Sequence, residues 1–253
     1  MKEFHKLVVA ELIEYGHSYF PIDTRMQANA ASSAQLFLTA NRKYWRDWSF
    51  PRLAGGQTGI IEEDSDLVDT TRLALCFDHE FTRQRPTVGI LPHARQCLGS
   101  IADFNRHLKT RVLEIGHELD RYCATKNVAG RFKSAFEGGE TCSSLFMHSA
   151  LHGRRMLDEV IDDSVFTIYL GGQGGDIHLK HTGEWVFAEP PRGSALIICG
   201  ARVEELGCPE LRPMTHRFEH TGPSAYHSCY LTVQMAPLPV VPVLDNVVPS
   251  GAS

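Results

Sequence analysis

Imidazoles and carboxylates are the side chains in this sequence best equipped to move protons or hold a metal, and 13 histidines and 30 acidic residues supply them. One acidic cluster is Asp158-Glu159-Val160-Ile161-Asp162-Asp163. Its carboxylates have the chemistry of metal donors or general bases, and equally that of a solvated turn. His148 and His178 sit within runs of β-forming residues, where a histidine either faces a cavity or bonds to a backbone carbonyl. His216 opens such a run, with the same two readings. The seven cysteines (Cys76, Cys97, Cys123, Cys142, Cys199, Cys208, Cys229) are odd in number, scattered and without a CxxC pair. That pattern predicts reduced, structural thiols in a cytoplasmic protein, not a zinc site or a disulfide framework. Gly171-Gly172-Gln173-Gly174-Gly175 has the composition of a phosphate loop but no Lys-Ser/Thr pair and no following helix, and predicts a tight hairpin.

Positioning such groups requires a core, and 253 residues with 43% hydrophobic content can bury one. Phe4, Leu7, Val8, Leu12 and Ile13 recur at helical spacing over residues 3–15, and Gly16 predicts the stop. An extended Tyr19-Phe20-Pro21-Ile22 follows. Residues 26–45 predict a second helix running into Tyr44, Trp45 and Trp48, and residues 51–66 read as a loop. The longest helical pattern spans residues 100–126, with Ile101, Phe104, Leu108, Val112, Ile115, Leu119 and Tyr122 on one stripe. After Gly139 short β-rich runs take over: 164–170, 176–179, 184–187, 195–199 and 226–233. Helices first and strands later predict an α+β fold. The expectation is one domain over residues 1–237, with a helical part at 1–138 and a β part at 139–237, and a Pro-rich tail at 238–253. A net charge of −5 argues against a nucleic-acid backbone or an anionic membrane as partner and favours a small molecule. The N-terminal residues have no unbroken apolar run of the secretory type, and the oligomeric state is not encoded in any motif.

The order of features from Ser164 onward carries a family resemblance. A strand Ser164–Leu170 is followed by a Gly-rich turn, Asp176-Ile177-His178-Leu179, Gly183-Glu184-Trp185 and Pro190-Pro191-Arg192-Gly193-Ser194-Ala195-Leu196. Then come Glu204-Glu205-Leu206 and Thr215-His216-Arg217-Phe218. This series resembles the C-terminal half of the isopenicillin N synthase-like Fe(II)/2-oxoglutarate oxygenases. The resemblance implies a double-stranded β-helix, or jelly roll, buttressed by the N-terminal helices. It also implies an oxidoreductase, a non-haem iron dioxygenase acting on a small, amino-acid-derived or secondary metabolite.

Members of that family hold Fe(II) with an H-x-D pair and a distal histidine. Carried onto this sequence, the carboxylate falls on Asp162 and the distal histidine on His216, but the first histidine is replaced by Val160. His148 is the first substitute to consider as metal ligand or pocket residue, with His178, Glu159 and Asp163 as further alternatives. The family's 2-oxoglutarate arginine, in an R-x-S pair, corresponds to Tyr226-x-Ser228. Tyr226 offers one neutral hydrogen bond in place of a charged fork, so 2-oxoglutarate is expected to bind weakly or not to be used. The alternatives are a metal-independent relative using His216, Asp162 and Tyr226 for acid–base chemistry such as cyclisation, elimination or isomerisation, and a non-catalytic ligand-binding module.

Overall fold

In the computed structural model, residues 2–29, 32, 49–51, 57–65, 70–77, 92–137, 141–150, 155–173, 175–220 and 226–233 are described. The chain begins with α1 (Lys2–Tyr15) and β1 (His17–Pro21). β2 (Ser49–Pro51), β3 (Gln57–Ser65) and β4 (Thr70–Phe77) precede the long α2 (Pro92–Thr125) and the short α3 (Phe132–Glu137). Eight strands follow: β5 (Thr141–Ala150), β6 (Arg155–Val160), β7 (Phe166–Gln173), β8 (Gly175–His181), β9 (Glu184–Phe187), β10 (Ser194–Cys199), β11 (His216–His220) and β12 (Tyr226–Val233). A 3-10 helix, Ala201–Leu206, joins β10 to the segment before β11.

α1 stops where the sequence predicts. Gly16 takes φ +74°, and a Cβ there would come within 2.7 Å of the Met214 side chain. Only glycine accepts that backbone angle without strain. Val8, Val9 and Leu12 turn inward, and α2 buries Ile101, Phe104, Leu108, Val112, Ile115 and Leu119. Cys123, not Tyr122, is the fully buried residue of the last turn. Burial pushes its thiol pKa up to about 12, and that of Cys199 higher still, so these are packing thiols.

Two antiparallel sheets make up the rest. The larger has the order β1-β10-β7-β12-β5-β4-β3-β2, the smaller β6-β11-β8-β9. Period-two alternation divides the larger sheet's side chains between two apolar bodies. Phe166, Ile168 and Leu170 of β7 and Ala195, Ile197 and Cys199 of β10 pack with the helices, where Phe136 meets Phe166 at 5.7 Å between ring centroids. Tyr169, Leu196 and Ile198 turn to the other side and pack with Ile177, Leu179 and Phe218 of the smaller sheet. Each fully buried Phe or Leu of this kind contributes roughly 1.5–3 kcal/mol.

Three expectations change. Residues 51–66, read as a loop, contain β3, and the part expected to be helical carries β2 and β4 besides the expected extended segment at β1. β3 reads Gln-Thr-Gly-Ile-Ile-Glu-Glu-Asp-Ser with no alternation, so its pairing to β4 along seven registered positions makes it a strand. The glycine run is not a hairpin, because β7 and β8 belong to different sheets and the run carries the chain across. Of the second helix, residues 24–29 and 32 are helical; 30, 31 and 33–48 lie outside the described residues, as does the tail 238–253.

The turn from β6 to β7 is clamped onto the end of β10. Gly200 N donates to Val165 O (2.9 Å), Ala201 N to Asp162 O (2.9 Å) and Arg202 N to Ser164 O (3.0 Å). A Cβ on Gly200 would meet Ser164 O at 2.2 Å, a contact with rigid backbone. Gly200→Ala is therefore expected to destabilise the fold by about 1–3 kcal/mol, as overpacking does. A thermal melt checks it, and an unchanged midpoint would refute this close approach.

Candidate active site

β6 ends at Val160, and two residues on the chain places Asp162 in the clamped turn. β11 opens with His216, whose direct cross-strand partner in β6 is Val160 and in β8 is Leu179. That register brings the imidazole over the turn: His216 Nε2 lies 3.6 Å from Asp162 Oδ2. The same Oδ2 accepts a 2.6 Å hydrogen bond from Thr167 Oγ1, and Thr167 Oγ1 is 3.2 Å from Ser164 Oγ. The Asp162 carboxylate is thus held by Thr167 of β7, while its backbone carbonyl is held by Ala201 N.

His216 is 3% exposed, with its ring edge-on to Phe218 at 5.7 Å and Phe218 against Tyr169 at 5.4 Å. Its Nδ1 is buried without a hydrogen-bond partner. Burial lowers the imidazole pKa below its ordinary value, and the Asp162 charge and the Met214 backbone pull the other way without overcoming it. At neutral pH the ring is uncharged and keeps a lone pair, the form that accepts a proton or ligates a metal.

The other candidates divide. His178 stands opposite Arg217 in the register and on the reverse face from Ile177 and Leu179, with its ring 5.9 Å from Phe187. There the Arg217 guanidinium lies 4.1 Å over the Trp185 ring. In a two-residue period His178 therefore lies on the face of the smaller sheet away from His216, with its Nδ1 buried and without a hydrogen-bond partner. Glu159 is exposed and paired with Lys180 at 2.8 Å, and Asp163 is exposed, so neither joins His216. Tyr226, Ser228 and His148 are placed by backbone register alone. Tyr226 is directly opposite His148, and Ser228 opposite Phe146.

Sequence reasoning passed over Thr167 and Ser164. The signal was present: Thr167 is a polar residue inside Val165-Phe166-Thr167-Ile168-Tyr169-Leu170, on the alternate that does not face the helices. Thr167→Val keeps the shape and removes the donor. It should cost about 1.5–3 kcal/mol for a bond to a charged group and lower turnover several-fold by freeing the carboxylate. Comparing melting point and kcat of that variant with the unaltered chain tests both halves.

Two donors at 2.0–2.2 Å from one ion can be separated by up to about 4.4 Å, so the 3.6 Å gap fits an imidazole and a carboxylate on a common metal. Val160 contributes no donor, and among the described residues no cluster of three or more His, Cys, Asp or Glu side chains forms a site. The fit is to two ligands of three. A separate cleft of about 250 Å³ lies on the helix side, lined by Phe4, His5, Phe20, Pro21, Arg111 and Ile115. Its His5 and Arg111 hold Glu114 at 3.1 and 3.2 Å.

No family model matches the sequence, and no curated protein does. Solved structures match over nearly the whole chain. A Neurospora crassa protein in complex with α-ketoglutarate and 5-formyluracil superposes with TM-score 0.74 at 11% identity, covering 92% of this chain and 79% of that one. The dioxygenase for auxin oxidation 1 of Arabidopsis thaliana, bound to 2-oxoglutarate, gives 0.69 at 10% identity over 92% and 90%. JOX2 in complex with 2-oxoglutarate, Fe and JA gives 0.67 at 10% identity over 93% and 73%. The chain therefore has the fold of Fe(II)/2-oxoglutarate oxygenase structures: mixed helices and antiparallel sheets. No described helix is long and apolar enough to cross a membrane.

Proposed function

We propose that this chain is a cytoplasmic, non-haem iron oxygenase-like enzyme that acts on a small metabolite in the space between the two sheets. Its strands 139–237 are read as a double-stranded β-helix, in which successive strands β5 to β10 alternate between the sheets except at the β8–β9 pair. The observation carrying the function is the approach of His216 Nε2 to Asp162 Oδ2 at 3.6 Å, from opposite ends of the β region. Asp162 and His216 would hold the iron, with His148 as the third donor in place of the family's first histidine. Bound there, iron would supply activation of dioxygen. The chain's own residues do the rest: Thr167 fixes which way the carboxylate faces, Phe218 and Tyr169 keep water from the imidazole, and burial keeps His216 neutral and able to donate its lone pair.

Anaerobic reconstitution with Fe(II), followed by metal analysis and oxygen uptake with and without 2-oxoglutarate, tests the proposal. About one iron per chain and oxygen consumption are expected; a chain that takes up no iron above a His216→Ala control overturns it. A second reading is favoured by Val160 standing directly opposite His216. On that reading the pair works without metal. His216 takes a proton from substrate, and Asp162, held by Thr167, stabilises the imidazolium that forms. Tyr226 would then be the acid. Substrate turnover unaffected by chelator would support it.

A further inference from the structure

The outer face of the smaller sheet carries a chain of contacts that touches all four of its strands. Arg217 of β11 stands opposite His178 of β8, while Trp185 of β9 stands opposite Lys180 of β8. Arg217 therefore reaches diagonally across β8, and its guanidinium lies 4.1 Å over the Trp185 ring. Lys180 Nζ is 5.5 Å from the centre of the same ring and 2.8 Å from Glu159 Oε2 of β6. Arg217 Nη2 also pairs with Glu219 Oε1 at 2.6 Å. Trp185 is the common point: β9 and β11 meet on it directly, and β6 joins through Lys180.

The arginine sits there at a cost. Its side chain is 17% exposed, and its Nε is buried without a hydrogen bond. A buried donor left unmade destabilises a fold, and the aromatic stack and the Glu219 pair offset it. What the stack secures lies on the opposite face. His216 is the first residue of β11, adjacent to Arg217, and alternation turns it toward Asp162. On the β6 side the pairing of β11 shifts register on both sides of Phe218. The unbroken pairing that holds β11 therefore runs to β8 alone, from His216–Leu179 to His220–Gly175. Glu159, at the far end of the contacts, stands three residues before Asp162. We propose that Trp185 and Arg217 are positioning residues: their stack across β8 holds the start of β11, and with it the His216 imidazole, over the Asp162 turn. The Lys180–Glu159 pair extends the strap to β6 and, being exposed, contributes less. This rests on the reading of His216 and Asp162 as the site, but on neither iron nor a substrate.

The test is the reactivity of individual histidines in the full chain without added metal. Diethyl pyrocarbonate acylates imidazoles that local opening exposes, and peptide mass spectrometry reads the rate at each one. His216 and His5 are both buried, at 3% and 7% exposure, and His5 is the internal control because it lies on α1 against Glu114. Trp185→Leu and Arg217→Met should each speed labelling of His216 by about tenfold or more, since a partly desolvated cation–π contact is lost, and leave His5 within about twofold. Trp185→Tyr keeps a ring under the guanidinium and should stay within about threefold of the original chain at His216. A general loss of stability would speed both histidines together. His216 labelling unchanged in either folded variant, or His216 and His5 rising in the same proportion, overturns the proposal. If Trp185→Leu fails to fold, Arg217→Met carries the same comparison. Selective labelling of His216 in a chain that takes up no iron upholds the strap while the iron reading falls.

Discussion

The chain carrying His216→Ala is expected to stay folded and to lose about 10²–10⁴ of its turnover, the range for removing a positioned proton-transfer group or a metal donor. The imidazole is buried, yet its Nδ1 makes no hydrogen bond, so truncation removes an unsatisfied polar atom along with packing against Phe218. Those two effects oppose each other, and the stability cost stays at the low end of the roughly 1–3 kcal/mol range for such changes. Steady-state kinetics with a thermal melt on the same preparation separates loss of chemistry from loss of fold. Near-normal turnover in the alanine variant would remove His216 from the mechanism under either reading. If turnover falls but metal content does not, the iron reading fails and the proton-transfer reading gains.

Val160→His is expected to have the opposite effect on metal. Val160 and His216 are direct partners across an antiparallel pair, which puts their Cβ atoms about 4.5–5.5 Å apart on one face. A histidine at 160 would stand beside both existing donors and complete two imidazoles and one carboxylate, a set suited to Fe(II). Since losing even an outer-shell partner changes metal affinity 10–100-fold, gaining a direct ligand should raise it by on the order of 100-fold or more. Anaerobic Fe(II) titration of the variant against the original chain measures the change. Equal affinities would mean that Asp162 and His216 do not share an ion, and the metal proposal would go with them.

How far the residues foretold this arrangement depends on what each feature answers to. α1 and the apolar stripe of α2 follow from local periodicity, and both are found where the spacing puts them, with α2 starting eight residues earlier. The strands from 164 onward were legible for the same reason. β3 was not, because its acidic Glu62-Glu63-Asp64 does not alternate and only its pairing with β2 and β4 defines it. The glycine run looked like a hairpin because sequence records a turn but not which sheet the next strand joins. Asp162 and His216 were legible through motif order, and their approach through space is a finding. The face of His178 could not be read from the sequence, because a single position of strand phase decides which face a side chain occupies.

β1 closes one margin of the larger sheet, pairing residue for residue with β10 from His17–Ile198 to Pro21–Ser194. β10 is apolar and buried from Ala195 to Cys199, so β1 is what keeps a hydrophobic strand from presenting open backbone to other molecules. A protease that trimmed the first twenty or so residues would leave a sticky border, and the shortened protein should self-associate long before the contact between His216 and Asp162 was disturbed.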